Sequence, residues 1–577
     1  LATAAYVRTR ELTIFAQDPS VRDENGHIIR AKITIPAERL DRGPRGYRVH
    51  CIDFDTTTNT YYDTGIDDFD DVYADKSDEE LLADPSFHCQ NVYALVMHTL
   101  SRFEHALGRR VSWGFYGHQL QIAPHAFREA NAFYSEKDHS LLFGYVPVED
   151  GTVFTCLSHD VVVHETTHAL IDGLRTRYTD PSSPDQAAFH EGFADVVALL
   201  SVFSLQAIPQ FLLDRKLRGQ GRIPVANLSA EILRNAIGKL AEELGGVLKG
   251  VRGEPLRRSM QDLPPNRDYL ADEEFEEPHR RGELFVAAIM NAFIDLWAAE
   301  IERLGDDQTR TIDRDKVVEE GARLADALLT SSIRALDYAP PVDVTFSDYL
   351  SAFLTADHEM RGETLLRDTV RASFLAYGIK PASAPKGTGR WAGIPKALRY
   401  ERVHFEPMQR DADEVFHFVW ENRDQDHLDL LQQGYTRVLS VRPCMRQGPD
   451  GFILRETVAE YLQVIKLRAG DLSSIRTRKK KKRIVIRKPT GMPDEQELFL
   501  YGGGTLIFDE YGRLKYHVYT STVSAKQTDR LDYLWRNGFY STLQIPQLHF
   551  ARMHQLRATG TELAFDQLSS SQLTEVW

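Results

Sequence analysis

The chain has 577 residues, too many for one hydrophobic core, so two or three domains are expected. Apolar residues make up 42% and charged residues 27%, which excludes a largely disordered chain. The net charge of −15 argues against a general nucleic-acid or anionic-membrane surface.

The opening Leu-Ala-Thr-Ala-Ala-Tyr-Val has neither the basic start nor the apolar stretch of a signal peptide. It also lacks Met, so a processed leader stays open. Strands separated by Pro, Gly and Asp clusters are predicted over 12–16, 28–35 and 47–54. Residues 63–83 are acidic and read as loop. A helix is predicted over 91–107, with Val92, Leu95, Val96, Leu100 and Phe103 on one face. Residues 133–143 alternate loosely, as an edge strand would. No apolar run approaches the roughly 18 residues of a membrane span. The four cysteines, Cys51, Cys89, Cys156 and Cys444, form no CxxC pair, so no zinc ribbon or disulfide framework is indicated.

Residues 164–168 read His-Glu-Thr-Thr-His, and Glu191 follows inside His-Glu-Gly-Phe-Ala-Asp. Two histidines four apart on a helix project from one face and can bind one metal. A carboxylate from a following helix, Glu191, would complete three ligands and leave an open position, the arrangement of a catalytic zinc. Glu165 sits one step round the helix, where it reaches a water at the metal but not the metal itself. Asp195, four residues after Glu191, is placed to hydrogen-bond the far nitrogen of a ligating histidine. Val161, Val162, Val163, Ala169, Leu170 and Leu174 flank the motif, so these polar groups are expected inside the protein.

Helical stripes follow, first Leu228, Ile232, Leu233, Ile237, Leu240 and Leu244, then Leu284, Phe285, Ala288, Ile289, Ala292, Phe293 and Leu296. Further helices are predicted near 315–336 and 346–376. Residues 381–395 read as a linker that few contacts should cross. Beyond it, strands are predicted over 437–442 and 451–455 about a Gly-Pro-Asp turn, and over 505–508 and 513–519 about Asp-Glu-Tyr-Gly. Gly502, Gly503 and Gly504 read as a turn, and the basic run Arg476–Arg483 as a solvated loop, with binding of nucleic acid or an acidic partner as the alternative.

The motifs together resemble the thermolysin-like zinc metallopeptidases of the gluzincin group, over about residues 45–380. Asp160 to Ala169 looks like that family's metal helix, and Asn131-Ala-Phe-Tyr134 like its substrate-binding edge strand. Glu191-Gly-Phe-Ala-Asp195, Arg258-Ser-Met-Gln-Asp262 and His279 followed by Gly282 match its later motifs in order. The resemblance implies that His164, His168 and Glu191 bind zinc. It makes Glu165 the general base on the zinc-bound water, and Tyr178 and His279 the oxyanion donors. Arg258 would hold a substrate carbonyl, Asn131 and the Ala132 backbone would pair with the substrate main chain, and Glu274 would orient His279.

Three departures stand out. Val202 takes the place of an acid in the family's calcium site beside Asp160, which puts calcium there in doubt. Arg257 replaces a pocket leucine, so specificity for large apolar side chains is uncertain. The chain shows no leader or propeptide, carries thiols, and has an unrelated C-terminal part, so a cytoplasmic enzyme is expected.

The expected fold class is α+β. A two-lobed zincin catalytic domain has a β-rich N-terminal and a helical C-terminal lobe, and a separate mixed α/β domain follows it. The expected divisions are a β-rich segment 1–85, a catalytic domain 86–380 with its lobes meeting at a metal helix 160–175, a linker 381–395 and a C-terminal domain 396–577. The expected activity is zinc endopeptidase action on protein or peptide substrates, without a membrane or nucleic-acid partner. The alternatives are a latent protease effector switched on by a regulatory protein at the C-terminal domain, and an inactive protease-fold binding module.

Overall fold

The computed structural model describes residues 9–64, 71–115, 117–148, 151–180, 182–217, 219–247, 262–382, 387–394, 398–423, 434–475 and 485–540. The fold is mixed α+β. Arg257, Arg258 and the basic run Arg476–Arg483 lie outside the described residues.

Near the N-terminus Thr9–Phe15 and Arg30–Pro36 pair antiparallel, with Leu12 opposite Ile33. Leu12, Ile14, Ile33 and Ile35 are buried, and both strands pack against the helix Pro85–Leu107. That helix starts six residues earlier than its apolar stripe suggests. Asp84 caps it through the Ser86 amide, Pro85 fills the first position, and Gly108 ends it in the left-handed region at φ 67°. The acidic stretch before it contains a short helix, Asp78–Ala83, set by a Ser77/Glu80 capping box.

A sheet runs in the order Val49–Cys51, Leu120–Phe127, Ser140–Val148, Ala132–Ser135. The first two pairings are parallel and the last antiparallel. The alternation over 133–143 therefore belongs to a hairpin, whose first arm is the edge strand. Gly151–Phe154 pairs with the far half of Ser140–Val148 and leads into the helix His159–Leu174, the histidine helix.

The helical part is built round Pro184–Phe203, the glutamate helix. It packs against the histidine helix, the long helix Pro278–Leu304 and Arg314–Ala335. Pro278–Leu304 is long and apolar enough to cross a membrane by length and composition, but 83% of its apolar window is buried, as in a core helix. It approaches the glutamate helix closely because glycines meet at the crossing. A Cβ on Gly192 would stand 2.8 Å from the Gly282 carbonyl oxygen, and one on Gly282 3.0 Å from the Ala188 carbonyl. The periodic stretch 346–376 is two helices, Phe346–Met360 and Leu365–Ala376, because Arg361 turns extended.

The C-terminal strands Tyr435–Gln447, Ile453–Arg468, Glu497–Asp509 and Leu514–Thr520 form one antiparallel meander. Gly502, Gly503 and Gly504 are strand residues here, not a turn. They are glycine because neighbours leave no room: a Cβ on Gly504 would stand 2.6 Å from His517 Nε2.

The expectation of few contacts across residues 381–395 does not hold. Arg446, 1% exposed, binds Glu456 at 2.5 Å and also pairs with Asp337, which is held at 2.5 Å by Arg109. Tyr338 donates to Glu456 at 2.7 Å, and Arg175, at the end of the histidine helix, pairs with Glu460 at 2.5 Å. The Met445 amide donates to the Gly108 carbonyl, and Trp391, inside the expected linker, donates to the Tyr338 carbonyl. Burial alone would raise the Asp337 carboxyl, but the Arg109 and Arg446 charges outweigh it and hold it far below its usual range.

Breaking a buried pair leaves an uncompensated charge, at a cost of about 3–5 kcal/mol. Arg446→Met leaves Asp337 with Arg109 and Glu456 with Lys515, so it is expected to lower the unfolding free energy by less than this, about 1–3 kcal/mol in denaturant titration. A chain ending at residue 385, which strands Arg175 without Glu460, is expected to be insoluble or to melt without cooperativity. Cooperative melting of that fragment at the full-length Tm would show the interface to be dispensable.

Candidate metal centre

The histidine helix is buried on nearly every side, with His164, Glu165, Thr166, Thr167 and His168 all at most 3% exposed. Polar groups this deep need partners. The threonines find theirs in their own helix, donating to the Val162 and Val163 carbonyls at 2.7 Å. The histidines find theirs on the glutamate helix. His164 Nδ1 lies 2.7 Å from Asp195 Oδ1, and His168 Nδ1 lies 2.8 Å from His190 Nδ1.

Asp195 accepts the proton of His164 Nδ1, so Nε2 is left with its lone pair facing inward. His164 Nε2 stands 3.6 Å from Glu191 Oε2, and His168 Nε2 stands 3.7 Å from Glu191 Oε1. These separations exceed a hydrogen bond. They are close to the about 3.3 Å between two ligands of a tetrahedral zinc with bonds near 2.0–2.1 Å. One donor atom from each of His164, His168 and Glu191 lies within 4.8 Å of the others. Two imidazoles and a carboxylate at this spacing, each ring backed by an outer partner, fit a zinc-class cation.

Glu165 faces the edge strand. Its Oε2 accepts from the Tyr134 amide at 3.0 Å. The Tyr134 hydroxyl donates to Asp172 Oδ2 at 2.9 Å, seven residues further along the same helix. One tyrosine thus fastens the edge strand to the histidine helix at two points. Asn131 and Ala132 open this strand and are 6% and 2% exposed. Asn131 Oδ1 accepts from the Ala132 amide at 2.9 Å, and the Asn131 carbonyl accepts from Gly144.

His279 reaches the cluster from the first turn of the long helix, with Nε2 3.6 Å from Glu191 Oε2. Its orienting acid is Glu277 and not Glu274: Nδ1 lies 2.8 Å from Glu277 Oε1. Glu274 is instead paired with Arg280 at 2.5 Å, on the surface. Glu277 also caps the helix, accepting from the Arg280 amide at 2.7 Å. Burial would raise its carboxyl, but the His279 hydrogen bond and charge and two backbone amides bring it down to about 2. Glu-Pro-His was the signal for this role, since proline favours the first helical position and the residue before it caps.

Tyr178 is the other correction. It is 1% exposed, packs its ring edge-on against Phe189, and donates its hydroxyl to the Pro340 carbonyl at 2.7 Å. Placed so, it offers the cluster no donor. Val202 is a buried apolar residue, and Asp160 accepts from Ser158 at 2.7 Å. His190 was not singled out in the sequence, because no spacing rule ties it to His168. The sequence matches no model of a known protein family and has no significant match among curated proteins.

Burial, with the Glu136 charge nearby, pushes the Asp172 carboxyl up to about 7 against the opposing Tyr134 hydrogen bond. Between its ordinary value and about 7 the folded chain then binds more protons here than the unfolded chain, so stability falls as pH rises through that window. Asp172→Asn mimics the protonated form. It is expected to match the wild type near pH 4 and to exceed it by up to about 4 kcal/mol at pH 8 in urea titrations. Equal stability at both pH values would overturn this reading of Asp172.

Proposed function

We propose that the chain is a zinc-dependent endopeptidase of the thermolysin-like kind, in which a β-rich lobe and a helical lobe meet at the histidine helix. The observation that carries this reading is the convergence of His164, His168 and Glu191 on one point, with Glu165 beside it and backed by the edge-strand amide of Tyr134. A zinc ion held by these three residues would supply a Lewis acid that polarises the scissile carbonyl and acidifies a water.

Glu165 takes the proton from the attacking water and passes it to the leaving amine. The Tyr134 amide fixes one carboxylate oxygen, which sets the direction of the other. Glu277 holds the His279 ring through Nδ1, which leaves Nε2 facing the cluster as the candidate donor to the oxyanion. The edge strand Ala132–Ser135 lies beside the general base, where an extended peptide could be added as a further strand. Protein or peptide is therefore the substrate class, and Arg257 and Arg258 are the side chains expected to select it.

A second reading adds latency. Tyr178 is held by Pro340, and Pro341 lies against Gly503 of the C-terminal sheet. This favours an enzyme whose second oxyanion donor is released when a regulatory protein engages that sheet.

Peptide-library cleavage, with metal analysis of the same sample, tests the reaction class. Glu165→Gln is expected to keep the metal and the fold while retaining less than about 1% of turnover. Replacing both His164 and His168 by Ala should remove the metal of this centre and the activity together. His279→Ala and Glu277→Gln should each lower kcat, the former by roughly 10²–10³, while Glu274→Gln stays near the wild type. Wild-type turnover in Glu165→Gln would remove the general-base assignment.

A further inference from the structure

Away from the glutamate helix, three residues from three elements meet inside the N-terminal part. His88 comes from Pro85–Leu107, His125 from Leu120–Phe127, and Cys156 from the turn Thr155–Leu157 that leads into the histidine helix. All three are buried, and one donor atom from each lies within 4.8 Å of the others.

Hydrogen bonding fixes the tautomers of both rings. His88 Nε2 stands 3.1 Å from the Leu82 carbonyl, which can only accept, so the proton of the neutral ring sits on that nitrogen. His125 Nδ1 stands 2.7 Å from Asp53 Oδ2, and the other Asp53 oxygen accepts from the His125 amide at 3.0 Å. The carboxylate accepts from ring and backbone alike, so the His125 proton sits on Nδ1. His88 Nδ1 and His125 Nε2 then face each other 2.8 Å apart, lone pair towards lone pair. Two lone pairs at that distance repel unless a positive centre lies between them. Phe154 packs on both rings, with centroids at 4.7 and 5.2 Å, and burial disfavours an imidazolium at His88.

We propose that His88, His125 and Cys156 form a second metal site, for a borderline transition-metal ion that accepts imidazole and thiolate together, with zinc foremost. Imidazole and thiolate are both zinc donors, the three residues leave a fourth position open, and Leu82 and Asp53 are the outer partners that such histidines carry. Charge balances as well: a divalent ion is neutralised by the Cys156 thiolate and the Asp53 carboxylate. On binding, the Cys156 S–H bond breaks, its proton goes to solvent, and a metal–sulfur bond forms. The ring nitrogens open from 2.8 Å by a few tenths of an ångström to the about 3.3 Å of two tetrahedral ligands. The ion would tie the helix Pro85–Leu107 and the sheet to the turn from which the histidine helix starts. This inference does not rest on the peptidase reading.

The test uses the full chain expressed in zinc-poor, cobalt-supplemented medium. Two cobalt ions per chain are expected, with a near-ultraviolet thiolate-to-cobalt band that the His164/His168/Glu191 site, having no thiolate, cannot give. The band should persist in His164→Ala/His168→Ala with one ion remaining, and vanish in Cys156→Ser. Should Cys156→Ser fail to fold, the wild-type spectrum decides alone. A folded wild-type chain with one ion and no thiolate band, its metal lost entirely in His164→Ala/His168→Ala, overturns the site and leaves a proton shared between the two rings.

Discussion

The close approach of the glutamate helix to Pro278–Leu304 is the constraint on which the centre depends. It requires two glycines, Gly192 and Gly282, each standing where the other helix's backbone leaves no room for a Cβ. Glu191 immediately precedes one glycine, and His279 lies about one turn before the other. The crossing therefore sets the 3.6 Å separation of His279 from the Glu191 carboxylate. A methyl group at either glycine would meet backbone of the facing helix, push the helices apart and widen that gap, at a cost of about 1–3 kcal/mol. Position 192 or 282 should thus be felt in the geometry of the centre.

The polar groups of the histidine helix are tolerated inside the protein because each is answered from a different direction. Its own carbonyls answer the threonines, the glutamate helix answers the imidazoles, and the edge strand answers Glu165. Three separate elements are thereby keyed to one helix. A shift of any of them would leave a buried group without its partner, at a cost of about 1–3 kcal/mol for each neutral group and more for a charged one. This fixes the helix in rotation and along its axis more sharply than its apolar residues could.

What the sequence discloses follows the reach of local spacing. His164 with His168 and Glu191 with Asp195 are each four apart, so a helix puts each pair on one face, and the structure sets Asp195 against His164. Glu277 and Glu274 differ by less than a turn, and only the helix start at Pro278 decides which meets His279. Tyr178 lies in a turn whose direction is set by Pro340, far along the chain. His88, His125 and Cys156 have no mutual periodicity, since a helix, a strand and a turn bring them together. Two hairpins of the C-terminal sheet were legible from their turns but not the pairing that joins them, and Arg446 gave no sign of burial, because its partners Asp337 and Glu456 come from separate parts of the fold. The glycine run misled for the same reason: the lack of room that calls for glycine at position 504 comes from Tyr461 and His517, on other strands.

The ion pairs that join the C-terminal meander to the helical part bear on how such a chain can change over generations. Arg446, Asp337, Glu456, Arg109, Arg175 and Glu460 form charge pairs that must be matched residue for residue. A recombination event near residue 390 that brought in a foreign C-terminal half would set unmatched charges into a dry interface, whatever the quality of each half. Each half therefore constrains drift in the other, and substitutions at these positions are viable chiefly as compensated pairs. The meander and the helices are thus coupled through these pairs, and Arg175, rooted at the end of the histidine helix, extends that coupling to the centre itself.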